Sequence, residues 1–139
     1  MTKYVIHTDG ASRGNPGEAA IAYVINQDKN LTEYCQRTGI TTNNIAEYQA
    51  MAASLDKLIE MGVEQSQLDF FSDSELMVKQ LLGEYRVKDA KLRPIYDAIQ
   101  SKLTKLRGDG NSYTLNAIRR QYNKRADELA NYALDNHQA

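Results

Sequence analysis

An apolar run that halts on a carboxylate constrains this chain more than any other feature. Residues 4–17 read YVIHTDGASRGNPG: Tyr4, Val5, Ile6 and Thr8 favour a strand, and Gly10, Gly14, Pro16 and Gly17 interrupt one. Asp9 is thereby expected at a strand end. A carboxylate buried there alone is unfavourable, so a cation, a set of donors or water should accompany it. On this stretch alone a turn-initiating Asp explains the pattern equally well.

The rest of the chain supplies the company. Residues 19–25 form an apolar run suited to a central strand, the polar stretch 26–30 a hairpin turn, and residues 31–39 a third strand. The period then changes. After Asn43 or Asn44, either of which can cap a helix, apolar residues recur from Ile45 to Ile59 at steps of three and four, and Gly62 ends the run. Residues 68–72 (LDFFS) read as a fourth strand ending at Asp73, and residues 74–82 as a short helix stopped by Gly83. A polar connection, 83–91, leads into a helix with Pro94 near its start and Gly108 after its end. Residues 112–118 alternate as a strand, and a last helix follows Asn123, its expected cap.

Topology converts that order into a site. Three successive antiparallel strands leave the first and third pointing the same way, and right-handed crossovers bring the fourth and fifth parallel to the first. The expected architecture is α/β, a five-stranded mixed sheet, three strands antiparallel and then two parallel, with helices on both faces. Asp9 and Asp73 then close parallel strands, while Glu47 and Asp127 open helices at the same edge, where open α/β sheets place ligands. Any one of these acids alone is explained as a solvated surface group. Four together repel one another unless a cation neutralises them. Oxygen donors without Cys or His favour Mg²⁺ or Mn²⁺ over zinc, and two such ions about 4 Å apart support phosphodiester hydrolysis.

Charge distribution is compatible with that reading. Residues 1–78 carry 5 basic against 11 acidic side chains, and residues 79–139 carry 12 against 7, nets of −6 and +5 within an overall −1. An acidic half suits cations and a basic half suits phosphates, although solvated helices produce the same imbalance. With 139 residues, 42% hydrophobic content and one cysteine, Cys35, the chain is expected to form a single domain, residues 1–139, without an internal disulfide. It has no leader-like segment and no membrane-spanning apolar run, so a soluble, cytoplasmic monomer is expected.

Taken together, TDGASRGNPG, then Thr42, Asn43 and Asn44 with Glu47 three residues on, then SDSELMV and finally NKRADELAN resemble, in order, the four motifs of type 1 ribonuclease H. The resemblance spans Tyr4 to Ala133. It implies an endonuclease that cleaves the RNA strand of RNA/DNA hybrids, leaving a 3′-hydroxyl and a 5′-phosphate. On that resemblance Asp9 bridges two Mg²⁺ ions, with Mn²⁺ a possible substitute. Asp127 completes the site of the ion that activates water, and Glu47 with Asp73 holds the ion on the leaving-group side. Gly10, Ser12, Asn15, Asn43 and Asn44 match residues that contact the RNA backbone and 2′-hydroxyls, the group that distinguishes RNA from DNA. Thr42 matches a DNA-phosphate contact, and Ser74, in the third motif, is a further substrate-contact candidate.

Two departures stand out. The loop before the last acidic helix reads AIRRQYNKRA and lacks the histidine many family members carry there; Arg120, seven residues before Asp127, resembles the branch with an arginine instead. Contact between Arg120 and the scissile or a neighbouring phosphate is expected. His7 shares the strand face of Asp9 but sits about 7 Å further back, so packing is its expected role, and His137 falls in a tail expected to be disordered. Segment 83–91 is too short for the basic protrusion of some relatives. Arg86, Lys88, Lys91 and Arg93 either follow the DNA strand or are solvated surface charge. Among rival readings, a sugar kinase or ATPase on the same sheet needs a second lobe that 139 residues cannot supply. A module from a reverse transcriptase is also compatible, although neither end resembles a severed linker. The alternative from another class is a non-catalytic nucleic-acid adaptor, which would tolerate loss of an acid.

Overall fold

The structure, a computed structural model, describes residues 2–136; His137 lies outside them. Three antiparallel strands, β1 (Thr2–Gly14), β2 (Gly17–Gln27) and β3 (Asn30–Thr41), are followed by helix α1 (Asn43–Glu60) and strand β4 (Ser66–Ser72). Helices α2 (Glu75–Leu81) and α3 (Arg93–Gly108), strand β5 (Ser112–Ala117), a 3-10 turn (Arg120–Tyr122) and helix α4 (Lys124–Asp135) complete the chain. The sheet order is β3-β2-β1-β4-β5, with β4 and β5 parallel to β1, as the strand pattern implied.

Strand alternation sorts the two faces. Ile6, Tyr23, Ile25, Leu68 and Phe70 pack beneath α1 with Tyr48, Met51, Leu55 and Leu58, and Ile99, Leu103 and Leu106 of α3 join that core. On the other face, Ala20 and the flanking Ala11 and Cys35 meet Ala133 and Leu134 of α4. α4 therefore covers β1 to β3.

One expectation needs correction. β1 does not stop at Asp9 but runs on to Gly14, paired with β2 down to Gly14↔Gly17, so that residues 15–16 alone form the turn. What stops near Asp9 is the parallel partner: the β1·β4 register ends at Thr8↔Ser72. Beyond that point β1 keeps bonding to β2, which is itself paired with β3 as far as Gly17↔Thr41. Gly10, read as a strand breaker, lies inside this ladder for a steric reason. A Cβ on Gly10 would lie 2.2 Å from the carbonyl carbon of Ala46 and 2.3 Å from the amide nitrogen of Glu47. The absent side chain lets the first turn of α1 touch β1.

Candidate active site

That close approach creates the first half of the site. The Gly10 amide donates to Glu47 Oε1 at 2.8 Å, which aims the Glu47 carboxylate at Asp9 on the preceding residue. Asp73 is the first residue beyond β4 and stands beside Asp9 because the two strands are paired in register up to their neighbours Ser72 and Thr8. Carboxylate oxygens of Asp9, Glu47 and Asp73 all lie within 4.8 Å of one another. Asp127, in the first turn of α4, lines the same cleft without joining that inner cluster. Its Oδ1 pairs with Arg120 Nη2 at 3.2 Å and accepts from Asn131 Nδ2 at 3.3 Å.

The acids are poorly solvated. Asp9 is 4% exposed and Glu47 6%. Burial, and then the nearby charges of Asp73 and Asp127, push the Asp9 carboxyl up to about 8, partly opposed by Arg120. Burial, then Asp9 and Asp73, hold Glu47 well above the usual carboxylate range, against the lowering effect of the Gly10 amide. Asp9 Oδ2 is buried with no hydrogen-bond partner. Three converging oxygen donors, one of them orphaned, and no soft ligand among them fit a hard divalent cation such as Mg²⁺.

The cleft around them encloses about 670 Å³. Gly10, Ser12, Asn15, Asn43, Ser74 and Arg120 line it, as expected from sequence; Thr42 and Asn44 do not. Asn43 and Asn15 are tied together: Asn43 Oδ1 accepts from the Ser12 amide at 3.3 Å, and Asn15 Oδ1 accepts from the Asn43 amide at 3.0 Å. The cap of α1 is neither asparagine. Thr42 takes that role, its Oγ1 accepting from the Ile45 amide at 3.2 Å, because Asn43 is occupied with the β1–β2 hairpin. Ser74 caps α2 by accepting from the Met77 amide at 3.3 Å. His7 stacks on Phe71 with ring centroids 5.1 Å apart, and burial pushes its pKa down. Arg86, Lys88, Lys91 and Arg93 do not line the cleft, and Arg93 pairs with Asp97 at 3.3 Å.

Two supporting residues escaped the sequence reading. Asn123 makes no side-chain cap bond to α4. It is 1% exposed and donates from Nδ2 to the Thr8 carbonyl at 2.9 Å, fastening the start of α4 to the residue before Asp9. Nothing in local sequence separates this tertiary use from the capping use. Asn131, by contrast, was findable: it follows Asp127 by four residues and so shares its helix face. It donates to both the Asp127 carboxylate and the Asp127 carbonyl.

Comparison with known proteins places this geometry. Residues 1–135 match the family described as RNase H. The chain is 35% identical over 136 residues to the bifunctional protein Rv2228c of Mycobacterium tuberculosis, covering 96% of this chain and 36% of that protein. It is 37% identical over 129 residues to ribonuclease HI of Halobacterium salinarum, covering 91% of this chain and 62% of that one. The chain thus spans between one third and two thirds of these curated relatives. Among solved structures, LC11-RNase H1 in complex with an RNA/DNA hybrid superposes with a TM-score of 0.86 at 36% identity, covering 95% of this chain and 96% of its own.

Proposed function

We propose that this chain, which belongs to the RNase H family, hydrolyses the RNA strand of RNA/DNA hybrids endonucleolytically, leaving 5′-phosphate and 3′-hydroxyl ends. The observation that carries the reading is the cluster of Asp9, Glu47 and Asp73, with its orphaned, buried Asp9 oxygen, at the floor of an open polar cleft. In this reading those three residues hold Mg²⁺, or Mn²⁺ in its place, and Asp127 completes the site of a second ion. Bound there, the ions supply Lewis-acid activation of water and neutralisation of the leaving oxygen.

The chain's own groups do the rest. Gly10 fixes the Glu47 carboxylate through its amide and keeps α1 against β1. With their Oδ1 atoms engaged, Asn15 and Asn43 have Nδ2 donors directed to the RNA backbone and 2′-hydroxyls, alongside Ser12. Thr42, which spends a lone pair on the α1 cap, keeps its hydroxyl proton for a DNA phosphate. Asn44 and Ser74 are the remaining substrate contacts of this reading. Arg120 pairs with Asp127, and were a cation bound at Asp127 to take over that task, the guanidinium would be free for a phosphate beside the scissile bond. In the same reading residues 1–139 form one RNase H-like domain that acts in the cytoplasm as a monomer, of the branch with neither basic protrusion nor active-site histidine.

The test is cleavage of an end-labelled RNA strand presented as hybrid, as duplex RNA and as single strand, with Mg²⁺ or EDTA, beside Asp73→Asn. Metal-dependent internal cuts confined to the hybrid and lost in the variant are the expected result. Hybrid binding without cleavage in Mg²⁺ or Mn²⁺ would instead identify a non-catalytic adaptor.

A further inference from the structure

The turn between β5 and α4 has a role that the carboxylate site does not absorb. Residues 119–125 read RRQYNKR, four cations and a tyrosine in seven positions. Two cations are engaged: Arg120 with Asp127 at 3.2 Å, and Arg125 with Glu33 at 2.6 Å. Arg119 and Lys124 are exposed and have no acidic partner among the described residues. Tyr122 is 66% exposed, an aromatic ring left in solvent.

The segment is held in place. At one end the Ile118 amide donates to the Ser72 carbonyl at 2.9 Å, next to Asp73. At the other, Asn123 donates to the Thr8 carbonyl at 2.9 Å, next to Asp9. Between them, Tyr122 N–H to Arg119 C=O and Asn123 N–H to Arg120 C=O, both 2.9 Å, brace the turn internally. It is therefore slung between the two strand positions that carry the central carboxylates. It borders the cleft through Arg120, which lines it together with Asp127, Asn131 and Leu134 of α4, while Arg119, Tyr122 and Lys124 stand outside that lining.

We propose that Arg119, Tyr122 and Lys124 are a second substrate grip, binding the stretch of RNA strand that leaves the carboxylate cluster past this turn, beyond the rim of the cleft. The inference rests on the hybrid-cleaving reading given above. A strand laid across Asp9 and Asp73 must pass this turn, because the turn is pinned to both strand ends. Arg119 and Lys124 meet the flanking phosphates, and the exposed face of Tyr122 packs on a ribose between them. An aromatic ring interleaved with unpaired cations is the combination that tracks a nucleic-acid backbone without reading sequence.

The experiment measures hybrid binding between 50 and 200 mM salt, set by the test and not by the protein, in the Asp73→Asn chain with Mg²⁺ so that the hybrid survives. Each phosphate contact contributes about 0.9 to the slope of log affinity against log salt, so Arg119→Ala with Lys124→Ala should lower that slope by about 1.8. Tyr122→Ala should weaken binding about 5-fold with the slope unchanged, a loss in the range known for aromatic contacts to nucleic acid. Lys29→Ala, in the β2–β3 turn, is the control and should change neither. Unaltered melting temperatures will separate these effects from misfolding, since all four side chains are exposed. An unchanged slope and affinity in the double variant overturns the grip while leaving the hydrolase reading intact. Failure of the parent chain to bind hybrid at all overturns both.

Discussion

Asp9→Asn should destroy hydrolysis and yet stabilise the metal-free protein, and the two effects have the same origin. Asp9 ionises near pH 3.8 in an exposed reference and at about 8 in the folded protein. Between those values the folded state binds a proton that the unfolded chain has released. Stability therefore falls as pH rises, by at most about 1.4 kcal/mol per unit from this one group. Below pH 4 both states are protonated and nothing is lost; above pH 8 both are ionised and the full penalty is present. Four units at the limiting slope set a ceiling of about 6 kcal/mol. Asp9 is coupled to Glu47, which burial also holds above its ordinary range, so the realised loss for the site is nearer about 2–4 kcal/mol. Asparagine copies the neutral form at every pH, while its amide leaves a buried donor without a partner, at a cost of about 1 kcal/mol. In EDTA, urea melts at pH 5, 6, 7 and 8 should show the parent chain losing stability steadily and Asp9→Asn losing much less. At pH 8 the variant should be the more stable by about 1–3 kcal/mol. Saturating Mg²⁺ should then restore the parent and leave the variant nearly unmoved, because a ligand that binds only the folded site stabilises it by mass action. Parallel pH profiles, or a variant less stable than its parent at pH 8, would refute the argument.

Three further substitutions test the supports around that cluster. Gly10→Ala places a methyl group 2.2 Å from the Ala46 backbone, which cannot swing aside; a loss of about 3 kcal/mol or more in urea melts, with activity not rescued by added Mg²⁺, is expected. Asn123→Ala leaves the Thr8 carbonyl without its donor, so stability should drop by about 1–3 kcal/mol, and hydrogen exchange should quicken at the start of α4 before it does elsewhere. Arg120→Ala removes a guanidinium that is 74% exposed, so melting should shift by less than about 0.5 kcal/mol while turnover or hybrid affinity falls; unchanged kinetics would remove Arg120 from the phosphate-contacting groups.

That four acids meet at one edge of the sheet was legible from their order along the topology and not from any one of them, since Asp127 in the first turn of a helix is an ordinary placement. Asp9 follows an apolar strand run, and Glu47 is buried in α1 one turn before the buried Ala50 and Met51. The strand directions followed from strand period and crossover handedness, neither of which depends on side-chain detail. What could not be read is where two backbones meet. Local rules treat Gly10 as the end of a strand, whereas the structure uses it as the point where a helix rests on one. Asn123 carries the local signature of a cap, and the buried Thr8 carbonyl, 115 residues away in sequence, claims its side chain instead. The same logic separates Thr42 from Asn43 at the α1 start, since the Ser12 amide holds Asn43 from across the cleft.

These three misreadings lie beside the carboxylates, and physics gives the reason. Bringing Asp9, Glu47 and Asp73 within 4.8 Å opposes their mutual repulsion, so the surrounding backbone has to be fixed by bonds that local structure does not need. Gly10 fixes α1 to β1, Asn123 fixes α4 to β1, and Asn43 fixes α1 to the hairpin. Each takes a residue that would ordinarily end, cap or turn an element and spends it on a long-range contact. A Gly or Asn whose local role turns out to be vacant is therefore a signal in its own right. In this fold it marks where the strands and helices are held together against the charge they carry.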